Sequence, residues 1–276
     1  MKKRNIVVMG TIILISFVCI FWYHWQPKQS RDKAVHVAKE VDSKKNAFSH
    51  LSYYHSKYLD RYQDYQKKNP KKSIEDIVTY VNIGLDLGFY NHIKTVKNPD
   101  AINVVVNKLH KLPDEWNPKN LVQVNPQRDE YLEKRAAKAF FSFRDACQKQ
   151  GFSITAFSGF RSYQHQERNY HNMIQAQGQE QTDRYVSRPG HSEHNTGLCV
   201  DISIDGIYYE DIDQSPYYSW FREHMVEYGF ILRYPENKQA ITGYHYECWH
   251  IRYLGKQLAK KVKNSGLTFE EYQARQ

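Results

Sequence analysis

Past residue 130 the chain alternates short, β-branched apolar runs with amphipathic stripes, and the spacing never settles into the repeating strand–helix–strand rhythm of a parallel sheet. Residues 135–150 carry Ala136, Phe140, Phe143 and Cys147 on one stripe, and Gly151 follows to end that helix. Residues 152–157 read as a strand that turns at Ser158-Gly159 into a helix over 161–175. A polar stretch then runs to Arg188-Pro189-Gly190. Residues 200–204 are strand-like, 215–228 form a helix closed by Gly229, and 230–234 and 246–253 are further strands. The final helices begin near Leu254. This order predicts an α+β fold, with helices packed on a mostly antiparallel sheet.

Upstream the character changes. Met1-Lys-Lys-Arg4 is basic, residues 6–23 carry no charge, and Trp22, Tyr23 and Trp25 close the run. At about 1.5 Å per residue the run is long enough to cross a bilayer core, and the aromatic rings suit its interface. No small-residue cleavage pattern follows, so residues 1–26 are expected to be a cytoplasmic tip and retained transmembrane anchor. Residues 27–48 read as a polar stalk. Residues 49–100 form a helical region, in which Ser73-Ile-Glu-Asp76 resembles a capping box and Ile74, Ile77, Val78 and Val81 follow at helical spacing. Residues 101–276 form the main domain. It opens with a strand over 101–107 and a proline-punctuated connection over 112–126. The anchor would leave this domain outside the cytoplasm.

The net charge of +9 comes from dispersed Lys and Arg, without the basic cluster and stacking aromatics of a nucleic-acid-binding face. Outside a membrane, positive charge favours anionic lipid and acidic wall polymers. No obligate protein partner is evident. Of the 4 cysteines, Cys19 lies in the anchor run. Cys147, Cys199 and Cys248 lie beyond it, so one thiol stays unpaired under any connectivity.

Two segments carry chemistry: Ser192-Glu-His-Asn-Thr-Gly-Leu-Cys-Val-Asp201 and Glu247-Cys-Trp-His250. His194, Asp201 and His250 offer two imidazoles and a carboxylate, a donor set zinc accepts with one position left for water. Glu247 then stands ready to move the proton of that water. In a regular strand, residues three apart face opposite sides, so Glu247 must sit on a turn or bulge to share the site. Taken singly these residues say little: most histidines serve surface or core duty, and an Asp is often a cap or turn residue.

At these positions the sequence resembles the VanY-type D-alanyl-D-alanine carboxypeptidases and their relatives, the zinc D,D-peptidase and L,D-carboxypeptidase group. The family's motif Ser-x-His-x-x-Gly-x-Ala-x-Asp is matched by 192–201 except at Cys199. Its Glu-x-x-His, often Glu-Pro-Trp-His, is matched by Glu247-Cys-Trp-His250. Tyr228-Gly-Phe-Ile-Leu-Arg-Tyr-Pro235, Ile241-Thr-Gly243 and Ser158-Gly-Phe-Arg-Ser-Tyr-Gln-His-Gln166 also match, and Val106-Asn-Lys108 with Leu112-Pro113 resembles the family's entry. The resemblance spans roughly 101–272.

It implies a Hedgehog/D,D-peptidase-like domain in which His194, Asp201 and His250 bind one zinc ion and Glu247 is the catalytic base. Arg161 would hold the substrate and the developing oxyanion, and Gln166 and Ser192 would contact substrate. The implied reaction is removal of the C-terminal D-alanine from peptidoglycan stem peptides. The alternatives are an L,D-carboxypeptidase acting on tetrapeptide stems and a non-catalytic, zinc-containing wall-binding module. Cys199 and Cys248 depart from the family pattern. They admit a disulfide joining the two metal-bearing segments, a thiolate competing for zinc, or two buried free thiols.

Overall fold

Residues 47–276 are described by a computed structural model. The anchor over 1–26 and nearly all of the stalk lie outside them. Among the described residues no helix is long and apolar enough to cross a membrane. Phe48, placed by the sequence at the end of the stalk, is fully buried against Tyr62 with ring centroids 5.5 Å apart. It belongs to the helical region that follows.

That region consists of α1 (Leu59–Lys68) and α2 (Ile74–Ile83). The Ser73 side chain caps α2 by accepting from the Asp76 N–H, and Gly84 ends it in the left-handed region at φ 101°. Ile77, Val78 and Val81 bury one face against Tyr62 and Phe48. Two short strands, β1 (Lys94–Thr95) and β2 (His110–Lys111), pair in parallel across the entry to the main domain. The apolar run at 101–107 forms no strand beyond a single bridge at Asn107. Its backbone is satisfied differently: the carbonyls of Ile102 and Val104 accept from the Arg252 guanidinium at 3.0 and 2.8 Å.

The expected connection over 112–126 contains β3 (Leu121–Asn125), which forms an antiparallel hairpin with β4 (Glu130–Glu133). Then come α3 (Lys134–Lys149), β5 (Ile154–Ser158) and α4 (Tyr163–Gln177), the last capped by Ser162. The polar stretch after it holds α5 (Gln179–Tyr185), whose buried Thr182 gives it little apolar signature. Next are β6 (Cys199–Ile204), β7 (Ile207–Tyr208), α6 (Tyr218–His224), β8 (Phe230–Leu232), α7 (Gln239–Thr242), β9 (His250–Tyr253), α8 (Lys256–Ser265) and α9 (Phe269–Ala274).

The main sheet runs β5-β6-β9-β8, with β7 also pairing to β6, and every pairing is antiparallel. This is the α+β arrangement the alternation predicted. Alternation along β6 sends Val200, Ile202 and Ile204 into the core with Ile251 of β9. There Phe140 and Phe143 of α3 meet them, and Phe143 stacks between Phe221 and Tyr228 at 5.1 and 4.9 Å. Burying each such side chain contributes about 1.5–3 kcal/mol. Cys199, Asp201, His250 and Arg252 take the opposite parity, on the other face, where the chemistry lies.

Candidate metal centre and active site

The register sets Asp201 of β6 directly opposite His250 of β9. Their side chains meet, with His250 Nδ1 2.9 Å from Asp201 Oδ1. The third residue arrives from a 3-10 turn, Glu193–Thr196, closed by Gly197 in the left-handed region at φ 65°. It brings His194 Nε2 to 3.3 Å from Asp201 Oδ2. All three are nearly buried, with exposures of 7% for His194, 7% for Asp201 and 3% for His250. The expected donor trio thus converges from two distant stretches of chain.

Each imidazole is oriented from behind. His194 Nδ1 donates to the Gly159 carbonyl at 2.7 Å, leaving Nε2 as the donor atom that faces Asp201. Gly159 follows a register shift between Ala156 and Ser158 in the β5–β6 ladder. Such a bulge re-aims the chain leaving the strand. Gly159 also lies against β4 so closely that a methyl group there would collide with the Tyr131 carbonyl. Phe160 N–H donates to that carbonyl at 2.7 Å and Gly159 N–H to Glu130 Oε2 at 2.6 Å, which fixes the loop.

His250 presents Nδ1 to Asp201 and Nε2 toward Glu193 Oε2, 3.6 Å away. Neither of the latter atoms has a hydrogen-bond partner. The other oxygen of Glu193 accepts from Arg233 at 2.7 Å and from Arg252 at 2.6 Å. Arg233 continues to Glu270 at 2.9 and 2.5 Å, and Glu270 accepts from Asn107 at 3.1 Å. A buried ionic network therefore backs the second imidazole. The sequence carries no local sign of it, since Arg233 and Arg252 lie 40 and 59 residues from Glu193.

Glu247 is half-buried on the segment before β9, ahead of the turn at Cys248-Trp249. The turn satisfies the geometric condition set by the sequence, and Glu247 Oε2 stands 3.7 Å from His250 Nδ1. Arg161 lies on the loop after β5. Its N–H donates to the His194 carbonyl at 3.1 Å, and its carbonyl accepts from Asn195 at 2.6 Å. Its guanidinium donates to Gln166 Oε1 at 2.8 Å and Ser158 Oγ at 3.2 Å, near enough to oppose charge on His194. Gln166 is 1% exposed and spends its amide nitrogen on the Ser187 carbonyl at 2.7 Å. Here it positions Arg161. Ser192 is buried at the start of the metal-bearing turn, and its side chain makes no cap hydrogen bond.

Cys147, Cys199 and Cys248 are all buried and free. Register explains the missing disulfide: Cys199 lies opposite Arg252, at the far end of β9 from Cys248. The Cys248 thiol instead donates to the Tyr209 carbonyl at 3.4 Å. Cys199 Sγ sits with the imidazoles: its sulfur and a ring nitrogen of each of His194 and His250 all lie within 4.8 Å of one another, a group that does not include the expected ligand Asp201.

The electrostatics test whether a cation fits. Burial works against charge on Asp201, but His194 and His250 outweigh it and hold the carboxyl well below the usual carboxylate range. Burial also opposes charge on His194, yet Cys199 and Asp201 lift it to about 10. The same two groups raise His250 against burial. Cys199, raised by burial, is drawn down to about 7 by the two imidazoles. The acids and imidazoles of the cluster hold one another in their charged forms, and its nitrogen, oxygen and sulfur donors suit zinc, which would take the place of the imidazole protons. Glu247 differs, because burial pushes its carboxyl up to about 7 against the pull of His250.

Residues 129–256 match the family model VanY, D-alanyl-D-alanine carboxypeptidase. The matched family is one of hydrolases of the carboxypeptidase class. Among curated relatives, a putative carboxypeptidase, YodJ, of Bacillus subtilis (strain 168) is 37% identical over 204 residues, covering 68% of this chain and 75% of its own. A solved LdcB LD-carboxypeptidase superposes with TM-score 0.63 at 38% identity, over 66% of this chain and 90% of that one. A mutant of the vancomycin resistance D,D-pentapeptidase VanY, solved in complex with Zn(II), superposes with TM-score 0.55 at 31% identity, over 62% and 98%. The chain belongs to the VanY D-alanyl-D-alanine carboxypeptidase family.

Proposed function

We propose that the protein is a zinc-dependent carboxypeptidase that removes the C-terminal D-alanine from peptidoglycan stem peptides ending in D-alanyl-D-alanine. The observation that carries this reading is the meeting of His194 Nε2, the Asp201 carboxylate and His250 Nδ1 beside a separate, half-buried Glu247. A binding module would need no such carboxylate beside its metal ligands.

His194, Asp201 and His250 would hold the metal. Zinc bound there supplies Lewis acidity and makes water nucleophilic near neutral pH. Glu247 accepts the proton of the attacking water and passes it to the leaving D-alanine amine. The Arg161 guanidinium, held in place by Gln166 and Ser158, offers its remaining N–H groups to the developing oxyanion or the substrate's terminal carboxylate. Ser192 would offer its hydroxyl to the bound peptide. With residues 1–26 as an anchor, the domain would work outside the membrane, where its substrate is found.

A second reading, cleavage of tetrapeptide stems as an L,D-carboxypeptidase, draws support from the likeness to the LdcB structure. The test is incubation with pentapeptide and tetrapeptide stems, with and without a chelator, followed by mass spectrometry. Chelator-sensitive loss of one alanine from the pentapeptide supports the first reading. Loss from the tetrapeptide alone replaces it with the second, and loss from neither overturns both.

A further inference from the structure

The family pattern carries alanine where this chain has Cys199, whose fully buried thiol lies outside the hydrophobic clusters. The strand parity of β6 turns Cys199 to the Asp201 face and away from Val200, Ile202 and Ile204. The other described thiols are spent elsewhere: Cys147 packs in the main core and Cys248 donates to the Tyr209 carbonyl. Cys199 Sγ and one nitrogen each of His194 and His250 form a buried trio within 4.8 Å. Zn–N bonds of about 2.0 Å and Zn–S bonds of about 2.3 Å place tetrahedral donors roughly 3.5 Å apart, so the trio would close by at most about 1.3 Å around an ion.

We propose that Cys199 is a fourth protein donor at this site, its thiolate joining His194, Asp201 and His250 on the same metal ion. The proposal rests on the reading that the site holds zinc. A thiolate added to two imidazoles and a carboxylate selects for thiophilic metals and tightens retention, and water or substrate then enters as a fifth ligand or by displacing the thiolate. Cys199 then governs which metal the site keeps and how freely a ligand from solution reaches it.

The full chain, stripped with a chelator and reloaded with Co(II), gives a readout independent of turnover. The wild type is expected to show the visible bands of low-symmetry Co(II) together with a sulfur-to-cobalt charge-transfer band in the near ultraviolet. Cys199→Ala, which restores the family's residue, should keep the visible bands and lose the sulfur band. Cys248→Ala should keep both, which separates Cys199 from another thiol. In competition with a chromogenic chelator, Cys199→Ala should bind zinc at least about tenfold more weakly, since even an outer partner of a metal ligand is worth that much. Visible bands without a sulfur band in the wild type overturn the proposal and leave a three-donor site standing. Absence of any cobalt band from the wild type overturns the zinc reading itself, and this proposal with it. A missing sulfur band in the wild type overturns the proposal even if Cys199→Ala fails to fold.

Discussion

Single side chains divide the labour at this site, and their removal should separate the roles. Glu247→Ala leaves the two imidazoles, Asp201 and their backing untouched, so it should retain metal while kcat falls at least about 10²-fold. Metal content and D-alanine release measured on the same preparation check this, and near-normal turnover would remove Glu247 as the base. Glu193 acts one step further out. Its carboxylate sits between two guanidiniums at full burial, so Glu193→Gln leaves positive charge unbalanced in the interior and should cost about 3–5 kcal/mol in chemical denaturation. It should also weaken metal binding about 10–100-fold, because His250 Nε2 loses the carboxylate that faces it. The contrast bears on what sequence can reveal. That His194, Asp201, Glu247 and His250 come together was legible because their two segments resemble the metal-bearing motifs of a known family. Glu193 was not, because its partners Arg233 and Arg252 lie 40 and 59 residues away and no local pattern announces them.

Elements were readable to the extent that their signals were local. The apolar stripe and Gly151 marked α3, and Ser73 marked the start of α2, because stripe, cap and terminator are all short-range. The run at 101–107 has the composition of a strand, but its carbonyls are taken by Arg252, a partner the segment itself cannot specify. Composition there recorded burial, and burial does not choose between a ladder and a guanidinium. The loop leaving β5 shows the reverse case, a small feature with large reach. Gly159→Ala must push the loop off the Tyr131 carbonyl, and the Gly159 carbonyl that orients His194 moves with it. Loss of metal affinity by about tenfold is expected from the disturbed support, read by chelator competition. Phe143→Ala acts on the opposite face of the sheet. It should cost about 3–5 kcal/mol while the folded fraction keeps its metal affinity, since the core and the site are separated by strand parity. Equal loss of affinity in the two variants would argue that the faces are coupled after all.

At the scale of the molecule, contacts remote in sequence hold the parts together. Asn82 of α2 donates to the Ala274 carbonyl of α9 across 192 residues, and Arg275 donates to Thr79 across 196. The helical region before the domain is thus fastened to its last helix. The metal site has the same character, since its donors come from a turn and from two strands that no short segment contains. An ion held there binds the folded chain and not the unfolded one, so metal and fold must be thermodynamically linked. At free zinc of 100 times Kd the linkage supplies about 2.7 kcal/mol. For a domain of this size, each kcal/mol moves Tm by about 2–4 °C, so stripping the metal should lower Tm by roughly 5–11 °C. Thermal scans at a fixed protein concentration, with zinc and with chelator, measure the difference directly. His194→Ala provides the internal control, because a chain without that imidazole should melt at nearly the same temperature in both conditions. Coincident transitions for the wild type would mean that the donors, though close, do not bind zinc in the folded protein.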